Sequence, residues 1–178
     1  AIGRNFQESF QKAIRSMENG LNGLSSILKK NEGNGALKLE LSTPGEKRLW
    51  FIADAFRKGW TIEEVFVSCK VDYWFLHQIK DIVDDEKIIQ NSKLEQIDAN
   101  TLKSYKKKGF SDARIADLLE VDEQSVREHR YKLNVHPVFK RVDSCAAEFD
   151  STTNYLYSTY EEFNESEVSN NKKIVVLG

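Results

Sequence analysis

The sequence is poor in the residues that build tight turns, disulfides and metal sites. It has two prolines and nine glycines in 178 residues, too few for a β-sandwich or barrel with many turns. Its two thiols, Cys69 and Cys145, form no CxxC pair, and His77, His129 and His136 have no ligand spacing. We therefore predict no metal site and a reduced, cytoplasmic setting. No apolar run approaches the roughly 18–20 residues of a membrane span, so no membrane partner is expected.

The sequence also lacks an excess of charge of either sign. Lysine and arginine total 26 against 28 aspartates and glutamates, and the net charge is −2. Such a chain has no positive field to attract nucleic acid or anionic lipid. Its sequence contains no GxxxxGK[ST], GxGxxG, GxSxG or HExxH motif, which argues against an autonomous small enzyme. We predict no catalytic, cofactor-binding or metal-binding residue and no nucleic-acid partner.

What the sequence does contain is helical periodicity bounded by capping residues. Apolar residues recur every three or four positions, after Asp, Ser, Thr or Asn and often before glycine. We predict an all-α fold, a compact multi-helix domain of short helices with an extended C-terminal arm. The predicted helices are one from about Phe6 that stops at Gly20, one over 49–56 that Gly59 caps, one from Thr61 to about Ser68 with a Thr61/Glu64 capping box, one from Asp72 to about Ile89, one from Asp98 or Asn100 to Lys108, one over 112–120 after Ser111, and one over 123–133 after Asp122.

Two charged clusters on these helices are given structural interpretations, one as a solvated face and one as a helix cap. In the helix after Asp72, the acidic side chains lie opposite an apolar stripe, which is typical of a solvated face. The lysines at 106–108 occupy a last helical turn, where they complement the helix dipole, so a capping role is favoured over a phosphate-binding patch. The acidic residues are Asp81, Asp84, Asp85 and Glu86, and the stripe is Leu76, Ile79 and Val83 with Phe75 and Ile82 as further candidates.

The remaining segments are predicted to be linkers or extended chain. The stretch 20–45 is glycine-rich and is interpreted as a linker with one weak turn near Leu24 to Leu28. Pro137 blocks helix formation, so 136–163 is predicted to be an ordered extended arm with a short helix near 145–149, followed by a polar linker over 164–172. The apolar end, 172–178, is typical of a buried strand that stops at a glycine, as in a nucleotide-binding βα unit. The helix that follows the strand in such a unit is absent, so we expect the sequence to be an excised piece of a longer chain. The alternative is that 172–178 is an edge strand or a disordered tail.

The segment 115–127 resembles a helix-turn-helix. In a DNA-binding protein its second helix would place Gln124, Ser125 and Arg127 against base edges. However, acidic and basic residues balance between 122 and 133, and Glu123 would repel phosphates at the helix start. A DNA-binding module centred on 112–133 is therefore kept as the alternative function, and an ordinary pair of packed helices is the favoured interpretation.

Aromatic residues are dense between 50 and 75. Most of them are expected in the core, but a surplus is typical of protein–protein surfaces. The four consecutive large apolar residues at 49–52 cannot all lie on one buried helix face. We therefore predict a protein–protein surface, the candidate for any self-association, in which at least one of a small set is partly exposed and covered by a partner. The set is Leu49, Trp50, Phe51 and Trp60, and Trp50 is the preferred anchor.

Long stretches of the chain resemble the large subunit of carbamoyl phosphate synthetase. The resemblance covers nearly the whole chain in the expected order, except the glycine-rich stretch 20–45 and the polar stretch 164–172. Residues 1–9 resemble the end of the first ATP-using half of that enzyme, and residues 173–178 resemble the first strand of its second half. The matching stretches between them are 49–59 (LWFIADAFRKG), 74–76 (WFL), 107–116 (KKGFSDARIA), 136–149 (HPVFKRVDSCAAEF) and 155–161 (YLYSTYE).

The resemblance implies a non-catalytic oligomerization and spacer domain. The family makes carbamoyl phosphate from bicarbonate, ATP and glutamine-derived ammonia, for arginine and pyrimidine biosynthesis, and ATP, Mg²⁺ or Mn²⁺ and K⁺ would bind outside this stretch. The implied partners are further copies of the chain, the flanking ATP-grasp halves, and a glutaminase subunit or domain. The implied divisions are 1–20 for a helix from the end of the first half, 21–43 for a linker, 44–163 for the oligomerization domain with its arm 136–163, and 164–178 for a linker and the first strand of the second half.

Overall fold

The computed structural model of the protein describes residues 1–29, 33–146, 148–149, 155–166, 169–174 and 176. The chain forms two compact units, a helical unit from Ala1 to His136 and a second unit from Pro137 onward. This confirms the mostly helical fold that the periodicity predicts. Within the described residues the helices are α1 (Phe6–Ser16), α2 (Asn34–Ser42), α3 (Arg48–Arg57), α4 (Ile62–Cys69), α5 (Tyr73–Gln90), α6 (Ala99–Lys107), α7 (Asp112–Leu119) and α8 (Glu123–Lys132), with a short 3₁₀ turn at Leu94–Gln96.

Side-chain caps determine where most of these helices begin. The carboxylate of Asp98 accepts a hydrogen bond from the amide of Thr101, one of the donors that a helix start leaves unpaired. Hydrogen bonds from Thr101 hold the pKa of the Asp98 carboxyl below its usual range. The capping residues that the sequence predicts and the structure confirms are Thr61 with Glu64 as a complete capping box, Asp72, Asp98, Ser111 and Asp122.

Helix α5 is the centre of the helical unit. Its predicted apolar stripe is confirmed, because Leu76, Ile79, Ile82 and Val83 are fully buried. The stripe packs against α3, α4 and α7, and α1 also contacts α5. Phe75 was a further candidate for this stripe, and that prediction is wrong: its side chain is 43% exposed. Residue 75 shares a face with residues 79 and 82, but it lies in the first turn of α5, where its ring contacts Phe6 and Trp74 and remains partly open to solvent.

The glycine-rich stretch contains a helix, and the prediction of a linker over 21–43 is wrong there. Residues Asn34–Ser42 form α2, and residues 30–32 lie outside the described part of the chain. Leu37 and Leu41 are fully buried, as is Leu24. Leu37 and Leu41 are one turn apart, and their burial stabilises a helix that Gly33 and Gly35 only disfavour at its first turn.

Helix α1 is joined to the end of α6 by hydrogen bonds from its side chains to backbone carbonyls. The side-chain amide of Asn5 donates to the carbonyl of Lys107 (3.0 Å), and that of Gln11 donates to the carbonyl of Lys108 (2.9 Å). These bonds satisfy carbonyls that the end of α6 leaves unpaired. Gly109 then turns away with a φ of +94° directly against α1. Helix α1 is therefore packed into the helical unit.

Replacing Gly109 by alanine is expected to lower the free energy of unfolding by about 2–5 kcal/mol, because left-handed backbone strain and overpacking act together. A Cβ at this position would lie 2.9 Å from the Cα of Glu8. Gly59→Ala is the matched control: its φ is +87°, but no atom lies within 4 Å of where its Cβ would be, so about 1–2 kcal/mol is expected. Urea unfolding measures both variants. Equal losses would contradict the close packing of α1 on Gly109.

The second unit contains a two-stranded antiparallel sheet. Strand β1 (Val138–Arg141) pairs with β2 (Leu156–Thr159), and Val138 lies opposite Thr159. The arm is therefore extended, as predicted. The short helix predicted near 145–149 is wrong for the described residues, which form a turn and a bend; Ala147 lies outside them.

The residues after β2 depart from the prediction in two places. The stretch 164–166 was predicted to be part of a polar linker, but Glu165 returns to β1, where its amide donates to the carbonyl of Phe139 (2.8 Å) and its carboxylate pairs with Lys140 (2.8 Å). The buried strand predicted over 172–178 is wrong for the described residues, because Ile174 and Val176 are exposed and 172–174 are not a strand. Val175, Leu177 and Gly178 lie outside the described residues. No helix in the described chain is long and apolar enough to span a membrane.

Candidate functional site

The structure divides the predicted self-association residues into buried and half-buried ones. Trp50 is only 1% exposed, and its indole Nε1 donates to the carbonyl of Gly23 (3.0 Å). Its predicted exposure is therefore wrong, and Phe51 is buried as well. The reason is the segment before α3, which was interpreted as a linker but covers this helix. Leu49 and Trp60 are half-buried against the core, as the prediction of partial exposure required.

Trp60 borders a shallow groove between α2 and α4. The groove has a volume of about 400 Å³, and we call it the α2–α4 face. Val67 is 62% exposed at this face, and Leu39 is exposed on α2. A large exposed aliphatic side chain next to a half-buried tryptophan is typical of an interaction surface. The residues of the α2–α4 face are Asn34, Lys38, Trp60, Glu63, Glu64, Val67 and Ser68.

A second exposed surface lies where α1 meets the start of α5. The ring of Phe6 contacts the rings of Trp74 (centroids 5.0 Å apart) and Phe75 (5.5 Å), and it stacks on Phe10 (5.3 Å). Trp74 is 52% exposed. We call Phe6, Phe10, Trp74 and Phe75 the aromatic patch. The sequence carried a signal for it, since three consecutive aromatic residues at 73–75 cannot share one helix face any more than 49–52 can.

Two ionic clusters around buried carboxylates hold helices together. In the first, Glu86 is 2% exposed and pairs with Arg57 (2.6 Å) and Arg114 (2.7 Å). The predicted solvated position of Glu86 is therefore wrong, because α5 is surrounded by α3 and α7 at that depth. Both arginines also donate to the carbonyl of Leu24. This cluster fixes the 21–29 segment over α3, α5 and α7.

The second cluster joins α6, α7 and α8. Asp112 pairs with Lys106 (2.7 Å) and with Arg130 (3.0 Å), and all three residues are buried. Burial lowers the pKa of Lys106 to about 8, although Asp112 opposes this shift. Burial also acts to raise the pKa of Asp112, but the ion pair and hydrogen bonds with Lys106 and Arg130 bring it below its usual value. Lys106 therefore forms a buried ion pair, in addition to lying in the last turn of α6 as predicted.

These clusters have the geometry of structural ion pairs. Each buried carboxylate is bonded to two cationic side chains, so neither is open to a ligand. Within the described residues, no group of three or more His, Cys, Asp or Glu is placed to hold a metal ion. The α2–α4 face and the aromatic patch remain as surfaces where large exposed side chains lie beside half-buried aromatic ones.

The α7–α8 pair forms the predicted two-helix unit, but its surface does not fit DNA. The turn between the helices passes through Glu120 in the left-handed region. The side chains predicted to contact bases are bonded within α8 or its cap, and all three partners are acidic groups that would repel phosphate. The bonds are Gln124 to Glu128 (3.0 Å), Ser125 to Asp122 (2.6 Å) and Arg127 to Glu123 (2.7 Å).

The sequence matches one family over most of its length. The family described as carbamoyl-phosphate synthetase large chain, oligomerisation domain, matches residues 1–134. Among curated proteins, the carbamoyl phosphate synthase large chain of Neisseria meningitidis serogroup A is 51% identical over 178 residues. The protein of the same name from Pseudomonas syringae pv. tomato is 52% identical over 180 residues, and that from Haemophilus ducreyi is 46% identical over 178.

The matched stretch is a small part of each relative. All of this chain is covered in each comparison, but only 16% of the Neisseria and Haemophilus proteins and 17% of the Pseudomonas protein. The chain thus spans about a sixth of the length of the curated relatives it matches. None of these findings supports the alternative of a DNA-binding module.

Proposed function

Because the chain belongs to the family of carbamoyl-phosphate synthetase large-chain oligomerisation domains, we propose that it supplies self-association, and not catalysis, to a longer protein. The observation that carries the proposal is the α2–α4 face. It presents Val67 to solvent beside the half-buried Trp60, on a helical unit that coincides with the matched oligomerisation domain. An apolar side chain in this position is stabilised when a second copy covers it.

The self-association surface that we propose is a revision of the one predicted from the sequence. Trp60 and Leu49 remain candidates because both are half-buried. Trp50 and Phe51 act instead through the fold, since they hold α3 in place beneath the surface. Val67 replaces Trp50 as the central apolar residue. Lys38 on one side of the groove and Glu63 on the other give a symmetric partner opposite charges to pair with.

Val67→Glu is expected to weaken self-association by about 2 kcal/mol, a roughly 30-fold rise in the dissociation constant. The added charge would be desolvated whenever a second copy covers the α2–α4 face. Ile88→Glu is the matched control, because Ile88 is 57% exposed on α5 and lies outside that face. Sedimentation velocity over a range of concentrations measures both variants.

The control variant is expected to associate as the unsubstituted chain does, and both variants should keep its melting temperature. Association that Val67→Glu leaves unchanged would contradict this surface. Association that both variants weaken equally would show an effect of added negative charge and not of the face.

The non-catalytic part of the proposal is tested by enzyme assay. The purified chain is expected to show no bicarbonate-dependent ATP hydrolysis. This expectation is supported by the closed ion pairs around Glu86 and Asp112, which leave neither carboxylate available to a substrate. Turnover that persists through successive purification steps and disappears with the protein would contradict it.

We further propose that the parent of this chain is a carbamoyl phosphate synthase. Its relatives carry that name. In such a parent, ATP, Mg²⁺ or Mn²⁺ and K⁺ would bind in ATP-grasp halves on either side of the helical unit, and ammonia would come from a glutaminase subunit or domain. The product, carbamoyl phosphate, would serve arginine and pyrimidine synthesis in the cytoplasm. The resemblances of 1–9 and 173–178 to the ends of those halves support this arrangement.

A further inference from the structure

The aromatic patch joins α1 to the start of α5 and leaves two of its rings largely open to solvent. Trp74 and Phe75 are 52% and 43% exposed, and their rings contact each other and Phe6 at 5.0 to 5.5 Å. The buried stripe of α5 lies on another side of the helix from Trp74. Phe75 shares the face of Ile79, but it lies in the first turn of α5 and is not covered as Ile79 is. Clustered tryptophan and phenylalanine rings on a surface are typical of an interface centre, where they contribute most of the binding free energy.

We propose that the aromatic patch is the docking surface for the part of the parent chain that precedes Ala1. This inference rests on the proposed function only in taking the parent to be a longer chain, as the coverage of about a sixth of each relative indicates. The patch shares no residue with the α2–α4 face, so both surfaces can be occupied at once.

The start of the chain is held against α1, the helix that carries Phe6 and Phe10 of the patch. The amide of Arg4 donates to the carboxylate of Glu8 (2.6 Å), and the carbonyl of Ile2 accepts from Lys12 (3.0 Å). Gly3 lies so close to α1 that a Cβ would be 2.7 Å from the amide nitrogen of Ser9. Residues 2–4 are therefore folded back along α1, and a chain that continues before Ala1 starts from a defined position.

That position makes the preceding chain a better occupant than a second copy. Ala1 lies five positions before Phe6, so the chain between them spans at most about 18 Å. A segment tethered within this distance has an effective concentration of the order of millimolar. A separate molecule would have to compete from solution at far lower concentration, and it would pay the entropy of association in addition.

The test measures the accessibility of position 74 in the full-length parent. Trp74→Cys is labelled with N-ethylmaleimide, and the labelled peptide is quantified by mass spectrometry so that other cysteines do not interfere. Ile88→Cys is the matched control, because it lies on the same helix with a similar exposure of 57%. Each rate is divided by the rate of the same peptide in urea. We expect position 74 to react about tenfold or more slowly than position 88, at every protein concentration.

Two results would overturn the proposal. Equal rates at the two positions would show that nothing covers the patch. Protection that grows with protein concentration would assign the patch to a second copy. If the change at Trp74 impairs folding, the labelling rate of Phe75→Cys provides a second measurement on the patch, because Phe75 is 43% exposed.

The parent carrying Val67→Glu separates this inference from the proposed function. Protection of position 74 should be the same in that variant, whether or not it associates. A parent that never self-associates but still protects position 74 would contradict the proposed function and leave the docking inference supported.

Discussion

Glu86→Gln is expected to lower the free energy of unfolding by about 3–5 kcal/mol, the usual loss when one partner of a buried ion pair is removed. Glu86 is 2% exposed and neutralises both Arg57 and Arg114. A glutamine has nearly the same shape but leaves two guanidinium groups with too little negative charge around them. Arg57 retains Asp54 (2.7 Å), whereas Arg114 retains only neutral oxygen atoms among the contacts described here.

Asp84→Asn is the matched control for this prediction. Asp84 lies on the same helix and also pairs with a cation, Lys80, but its side chain is 41% exposed. Exposed pairs contribute little, so a loss below about 1 kcal/mol is expected. Urea unfolding followed by circular dichroism compares the two variants directly. Losses of equal size would show that the Glu86 cluster is no more important than a surface pair.

Trp50→Glu is expected to prevent stable folding of the helical unit. Removing a buried tryptophan costs about 3–5 kcal/mol, and a carboxylate in its place would be buried without a cation. The carbonyl of Gly23 would also lose its indole donor. Because small domains have a total stability of about 5–15 kcal/mol, the sum of these losses exceeds what the fold tolerates.

Trp74→Glu serves as the control, since Trp74 is half-exposed and outside the core. It should leave the melting temperature nearly unchanged, whereas Trp50→Glu should abolish the thermal transition. Thermal unfolding and sedimentation, measured side by side, distinguish the two roles of tryptophan. A folded but monomeric Trp50→Glu variant would restore Trp50 as an interface residue and contradict its burial.

The helix starts could be predicted because their determinants are local. The hydroxyl of Thr61 and the carboxylates of Asp72 and Asp98 each bond an amide within three residues, so the sequence alone contains both partners. The same holds for the buried stripe of α5, whose period of 3.6 residues is a property of the helix itself. The structure has both the caps and the stripe at the positions predicted from the sequence.

The helix α2 could not be predicted because its stability comes from distant contacts. Glycines before and within its first turn disfavour a helix, and only the burial of Leu37 and Leu41 against other helices compensates for them. Local propensity is a weak guide wherever tertiary packing supplies most of the free energy. A linker was therefore the natural interpretation of this stretch.

The candidate site was only partly predictable for a related reason. The excess of large apolar residues at 49–52 indicated that something beyond the core must cover this region, and α2 with the 21–29 segment does so. The same reasoning identifies the three aromatic residues at 73–75 as too many for one buried helix face, and no further segment of the described chain buries Trp74. Glu86 shows the converse, since its burial depends on arginines 29 positions before it and 28 after it.

The central claim is that the helical unit associates with copies of itself through the α2–α4 face. Sedimentation equilibrium of the chain over increasing concentration tests it most directly. We predict a weight-average mass that rises from the monomer value of 20.5 kDa toward a multiple of it, and a Val67→Glu variant that stays near the monomer value over the same range. A mass of 20.5 kDa at every concentration for the unsubstituted chain would contradict the claim.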